Sequence, residues 1–152
     1  MIQWICRYFD ELTLHELYEI LRLRNEVFVV EQQCVYADTD GKDLQCYHYM
    51  GWLDGKLAAY TRLIPAGISY KEISIGRVVS APEVRRSGVG RELMTGSILK
   101  AYELFGKQDI VIGAQLYLKT FYSSLGFEQE DDVYLEDGIE HITMRLSTKH
   151  YL

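Results

Sequence analysis

Leu14, Leu17, Tyr18 and Leu21 recur at helical spacing behind T-L-H-E, where Thr13 and Glu16 stand as the two ends of a capping box. The pattern predicts a helix over about 13–25 that leads into V-F-V-V-E-Q. Residues 2–9 ahead of it read as a strand. Two strand-like runs, 46–53 and 56–64, flank Asp54-Gly55, a dipeptide that favours a tight hairpin. Residues 73–80, rich in Ile and Val, predict the next strand. Beyond Pro82, Leu93, Met94, Ile98, Leu99, Tyr102 and Phe105 fall on one side of an amphipathic helix over 90–105. Residues 109–114 then read as a short strand and 117–125 as a helix that exits at Gly126 as its C-cap, and Asp137-Gly138 closes a last hairpin between 132–136 and 139–146. Residues 36–45, with Asp38, Asp40, Gly41 and Asp43, read as a loop. The order β, α, β, β, β, α, β, α, β, β is that of an α/β (α+β) chain with a mixed, mainly antiparallel sheet flanked by helices. It lacks the regular βα alternation of a doubly wound fold.

No repeat, low-complexity tract or linker divides the 152 residues, so one domain over 1–152 is expected. With 48% hydrophobic and 25% charged residues the chain suits a soluble globular protein. No apolar run approaches the ~20 residues of a bilayer span. The first ten residues lack the features of a secretory signal, and the expectation is a cytoplasmic protein without a membrane partner. Cys6, Cys34 and Cys46 form an odd set with no CxxC pair and no clustered histidines, which signals neither a disulfide framework nor a zinc site. The acidic loop at 38–43 lacks the closing glutamate of an EF-hand, so no metal is expected. A net charge of -6, from 16 Lys+Arg against 22 Asp+Glu, argues against nucleic acid as a partner.

The layout of that charge is more informative than its sum. Residues 85–91 read R-R-S-G-V-G-R without an acid, whereas 128–140 hold Glu128, Glu130, Asp131, Asp132, Glu136, Asp137 and Glu140 without one Lys or Arg. The basic stretch lies in a strand, loop, helix context, A-P-E-V-R-R-S-G-V-G, in which successive backbone N–H groups and the helix dipole converge on an anion. Gly88 and Gly90 would let a ligand approach the main chain, and Arg85, Arg86 and Arg91 add formal charge. Neither a Walker A loop nor a G-x-G-x-x-G fingerprint is present. A tight glycine turn with solvated arginines is the competing reading of the loop taken alone.

Arg85-Arg86-Ser87-Gly88-Val89-Gly90 resembles the [QR]-x-x-G-x-[GA] signature of the GNAT superfamily of N-acetyltransferases, and Phe121-Tyr122-Ser123-Ser124-Leu125-Gly126-Phe127 resembles its closing F-Y-x-x-L-G-F segment. L-R-L-R-N-E-V-F-V-V-E-Q, the D-x-D-G-x-D at 38–43, I-G-R-V at 75–78 and E-D-G-I-E-H-I at 136–142 further resemble the ElaA-like branch. The resemblance implies a twisted sheet with splayed central strands. It also implies acetyl-CoA as cosubstrate, its pyrophosphate on Arg85, Arg86, Ser87, Gly88, Val89 and Gly90 and its pantetheine arm along Val78, Val79 and Ser80. Tyr122 then takes the family's role of general acid toward the departing sulfur, and the acetyl group passes directly to an amine without a covalent enzyme intermediate. Gln115 stands where many relatives carry an Asn that contacts CoA, and Arg86 where many have Gly.

The acceptor amine must lose a proton before it attacks, and Glu31, His48 and His141 are the candidate bases. His141 alternates opposite to Ile142, Met144 and Leu146, so its side chain should leave the face they bury. His48 shares a face with Met50 and Trp52, which equally suits a hydrogen-bonded core histidine. Two other functions stay open. One is a CoA-binding sensor or interaction module without turnover; the other is an enzyme similar to acyl-homoserine-lactone synthases, from R-x-x-V-F at 24–28. A homodimer is compatible with the sequence. The acidic segment at 128–140 suggests a cationic acceptor.

Overall fold

Thr13 caps the first helix of the computed structural model, which describes residues 1–150; residues 151–152 of the expected domain lie outside the described residues. The Thr13 hydroxyl accepts from the Glu16 N–H at 3.0 Å and the Thr13 N–H donates to the Glu16 carboxylate at 2.8 Å, the reciprocal pair read from T-L-H-E. Thr13→Ala is expected to lower stability by about 1 kcal/mol in denaturant unfolding; an unchanged midpoint would show that the cap contributes nothing.

In chain order the elements are β1 (Gln3–Tyr8), α1 (Leu14–Arg24), β2 (Tyr47–Leu53), β3 (Lys56–Ile64), β4 (Ser74–Ser80), α2 (Val89–Phe105), β5 (Ile110–Gln115), α3 (Lys119–Ser124), β6 (Glu128–Gln129), β7 (Tyr134–Glu136) and β8 (Ile139–Leu146). The two-residue strand β6 carries no readable pattern, and the expected helix over 117–125 divides into a 3-10 turn at Leu116–Leu118 followed by α3. After α1 the chain does not leave the helical path near Asn25. It continues as a π-helix over Asn25–Glu31, in which Gln32 N–H donates to Val27 O at 3.1 Å. The wider turn buries Val27 while Val30 and Glu31 stay exposed.

The strands form two four-stranded, antiparallel groups, β1-β2-β3-β4 and β5-β8-β6 with β7 also on β8. The groups touch at the start of β4 and β5, where Ile73 and Ile110 form a parallel bridge and Val111 N–H donates to Ile73 O at 3.1 Å. Past that point no ladder among the described residues joins them, and the two halves splay into a cleft. β3 is buried along nearly its whole length because both of its faces are covered. On one face Thr61 meets Ser97 of α2 at 2.7 Å, and on the other the guanidinium of Arg24, at the end of α1, sits 5.9 Å from the centre of the Tyr60 ring. The core joins Ile20 and Leu23 of α1, Met94 and Ile98 of α2, and Ile112 and Met144 of the second sheet.

The acidic loop at 38–43 folds onto three arginines rather than into solvent. Arg24 pairs with Asp38 and with Asp43 at 2.8 Å each, Arg62 with Asp40 at 2.6 Å and with Asp43 at 2.8 Å, and Arg77 with Asp38 at 2.9 Å. Burial alone would raise the Asp40 and Asp43 carboxyls, but their hydrogen bonds to Arg62 and Arg24 hold both well below the usual carboxylate range. No described helix is long and apolar enough to cross a membrane, and no group of His, Cys, Asp and Glu among the described residues is placed to hold a metal.

Candidate active site

The cleft between β4 and β5 holds a cavity of about 690 Å³. One wall is β4, whose ladder to β3 is irregular: Tyr60 pairs with Val79 and Arg62 with Gly76, so Arg77 and Val78 together face Thr61. Arg77 takes a left-handed φ of 49° in this bulge, a device that bends a strand locally. The opposite wall is β5 with the first residues of β8, and Leu118, Phe121 and Tyr122 line the cavity as well, with Phe121 beside Gly90 of α2.

From Ser80 the chain passes through a 3-10 turn at Pro82–Val84 into the basic loop. Arg86 and Gly88 adopt φ of 64° and 86°, and the Ser87 hydroxyl donates back to Val84 O. Gly88 is the N-cap of α2, and the first helical bond runs from Glu92 N–H to Gly88 O at 3.1 Å, so the N–H groups of Val89, Gly90 and Arg91 have no partner within the helix. A Cβ on Gly88 would meet no protein atom within 4 Å, and one on Gly90 only Phe121, at 3.9 Å. The protein itself therefore does not fill the space beside these glycines. A run of free N–H groups at the start of a 17-residue helix, flanked by Arg85 and Arg91, fits a polyanion such as a pyrophosphate.

Of the residues expected to hold CoA, Val78, Val79, Ser80, Arg85, Gly90 and Gln115 line the cavity. Arg86, Ser87, Gly88 and Val89 do not; they form the loop and first helical turn at its edge, with the Val89 side chain buried in the core. Tyr122 lies in the cavity wall and is only 4% exposed, gripped edge-on by Phe121 and Phe127 with ring centres 5.2 Å and 6.0 Å away. Burial pushes its phenol well above the ordinary tyrosine range, with the neighbouring Tyr117 adding to the effect.

The three candidate bases are separated by their surroundings. His48 is not a cavity residue: it is fully buried between the Tyr60 hydroxyl at 2.6 Å and Asp43 O at 3.0 Å, and burial lowers its pKa. Both ring nitrogens are occupied, so the histidine packs the core and has no route to an acceptor. Glu31 lines the cavity but is held bidentately by Arg85 at 2.6 and 2.7 Å, and the hydrogen bond from Arg85 lowers its pKa and weakens it as a base. His141 lines the cavity as well, 7% exposed, on the side of β8 opposite Ile142, as its alternation predicts.

Sequence reading missed Cys34, Tyr36, Arg77 and Ile139 as cavity residues, and it marked Glu136 and Asp137 within the acidic run and the E-D-G-I-E-H-I stretch without placing them in the cavity. The end of the π-helix and the turn after it cross the mouth of the cleft. Glu31 reaches Arg85, Gln32 exchanges amide hydrogen bonds with Gln115 at 3.3 Å, and the Cys34 thiol donates to Asp137 O at 3.4 Å. No local pattern marks these contacts, because each joins segments far apart in the chain.

A sequence model described as an acetyltransferase (GNAT) domain matches residues 19–148. The chain belongs to the GNAT acetyltransferase family. The crystal structure of an acyl-CoA N-acyltransferase from Pseudomonas aeruginosa is similar over 97% of this chain and 100% of that one, with a TM-score of 0.92 and 42% identity. Protein ElaA of Escherichia coli is 39% identical over 146 residues, covering 95% of both proteins, and its crystal structure superposes with a TM-score of 0.90. A UPF0039 protein of Schizosaccharomyces pombe is 43% identical over 147 residues, 95% of this chain and 97% of that protein. This GNAT chain thus falls in the ElaA-like branch and is an acyltransferase by family, with the splayed sheet of that fold.

Proposed function

We propose that the chain is a cytoplasmic, acetyl-CoA-dependent N-acetyltransferase that passes the acetyl group directly to an amine. The observation that carries this reading is one cavity lined together by Gly90 at the N-terminus of α2, by the bulged edge of β4 and by Tyr122. The free N–H groups of Val89, Gly90 and Arg91, with Arg85, suit the pyrophosphate, and the unpaired edge of β4 at Val78, Val79 and Ser80 suits an extended pantetheine arm that pairs as an added strand would. Main-chain N–H groups of that bulged edge are fixed dipoles for the oxygen that gains charge as the amine attacks the thioester carbonyl. Tyr122, kept protonated by burial, supplies the proton to the sulfur as the C–S bond breaks. No step needs a nucleophilic cysteine or a metal.

Acetyl-CoA at 100 times its Kd should raise stability by about 2.7 kcal/mol, several degrees in Tm, and primary amines should release free CoA thiol. Gly88→Trp, which places a bulky side chain at a left-handed position beside the helix N-terminus, should abolish the thermal shift. A folded wild-type chain with neither thermal shift nor thiol release would overturn the reading. A thermal shift without release against a broad amine panel would leave a CoA-binding module instead.

A further inference from the structure

The cavity also holds a histidine whose tautomer is fixed by the fold. His141 Nδ1 lies 2.8 Å from Ile139 O, and since a carbonyl oxygen only accepts, Nδ1 carries the proton and Nε2 presents its lone pair. Nε2 is 3.6 Å from Glu136 Oε2, too far for a hydrogen bond yet close enough to stabilise a positive charge on the ring. The ring stacks on Tyr134 with centres 5.8 Å apart and planes 29° from parallel, which holds its direction. The groups that face it are Tyr134 and Glu136 of β7, Asp137 of the turn, and Gln115, its register partner on β5. Among the described residues no Lys or Arg pairs with Glu136, and His141 is the basic side chain beside it. A side chain nine-tenths buried, with a free basic nitrogen and an uncompensated carboxylate beside it, is thus aimed into the same cavity as Tyr122.

We propose that His141 is the general base of the transfer and that the acceptor is a protonated alkylamine, received as its ammonium beside Glu136. This rests on the acetyltransferase reading. His141 Nε2 takes one proton from the ammonium as the N–H bond breaks, and the freed lone pair forms the bond to the thioester carbon. The C–S bond then breaks, the sulfur takes the Tyr122 proton, and the second proton lost from the attacking nitrogen restores the phenol. The imidazolium returns its proton to water past the half-exposed Glu136. The net change is one ammonium and one thioester to one amide, one thiol and one proton.

The test compares two amines of similar size, propylamine, which is protonated at neutral pH, and methoxyamine, which is not. His141→Gln should lower kcat/KM for propylamine about 100-fold and for methoxyamine less than about 3-fold, with the acetyl-CoA thermal shift unchanged. Glu136→Gln, a change at the exposed rim, should show the same selectivity at about 10-fold. Long-range proton–nitrogen NMR should assign His141 as the Nδ1–H tautomer. Equal losses for both amines, or an Nε2–H tautomer, would overturn the assignment alone. A wild-type chain that binds acetyl-CoA yet acetylates neither amine would overturn the acceptor class together with the reading beneath it.

Discussion

Arg24→Met is expected to destabilise the fold by about 3–5 kcal/mol, the range for removing one partner of a buried ion pair. Arg24 is fully buried and donates from Nε to the Asp38 carboxylate, from Nη2 to the Asp38 main-chain oxygen and from Nη1 to the Asp43 carboxylate. Burial opposes its charge, but Tyr60, Asp43 and Asp38 together raise its pKa, so it stays charged. Methionine fills much of the volume and satisfies none of these oxygens, leaving carboxylates that must find water or protonate. Arg62 and Arg77 remain to neutralise part of the loss, which sets the lower bound. Denaturant unfolding should show the drop, with Tm falling by about 10 °C or more; a loss below 1 kcal/mol would show that Arg62 and Arg77 suffice. The pH dependence has a fixed sign. Asp40 and Asp43 have folded pKa values below their unfolded ones, so their contribution is complete above the ordinary carboxylate range and is lost as pH falls through the depressed values. Removing Arg24 lets Asp43 rise toward normal, so the acid limb of the variant's stability profile should move to higher pH.

That network was not legible in the sequence, and the reason is physical. D-x-D-G-x-D has the composition of a solvated turn, and nothing local says that Arg24, Arg62 and Arg77, from a helix and two strands, converge on it. Short-range signals fared better. Both hairpins read from Asp-Gly form as read, with φ of 50° and 78° at Asp54 and Gly55 and 51° and 78° at Asp137 and Gly138, the doubly positive pattern of a type I′ turn. The outward direction of His141 followed from strand alternation, because Ile142, Met144 and Leu146 fill the core on the other face. The π-helix did not follow, since V-F-V-V suits a strand as well as a helix and packing of Val27 and Phe28 against the core decides between them. The bulge at Arg77 was equally hidden, as an arginine with positive φ carries no glycine to announce it. Glu31 illustrates the limit for the site: its cavity location could be guessed, but its capture by Arg85 depends on a contact 54 residues away.

Tyr122→Phe is expected to reduce kcat by about 10³ while leaving the fold and the acetyl-CoA thermal shift intact. The ring is held by Phe121 and Phe127 and by the exit of α3, where Leu125 N–H and Phe127 N–H both return to Tyr122 O and Gly126 takes φ of 104°. Phenylalanine keeps all of this packing and removes one oxygen, so a loss of rate cannot be traced to a loss of shape. The role asked of that oxygen is to donate. A phenol whose pKa is raised by burial holds its proton across the whole working range, which suits an acid toward a departing thiolate and disqualifies it as a base. Wild-type activity should therefore not decline as pH passes through the ordinary tyrosine range. The variant should expel the thiolate unprotonated, so its rate should become limited by C–S cleavage, and its kcat and kcat/KM should fall together as expected for an interaction made only in the transition state. If kcat survives within about threefold, water and not Tyr122 protonates the sulfur, and the tyrosine is a wall of the cavity only.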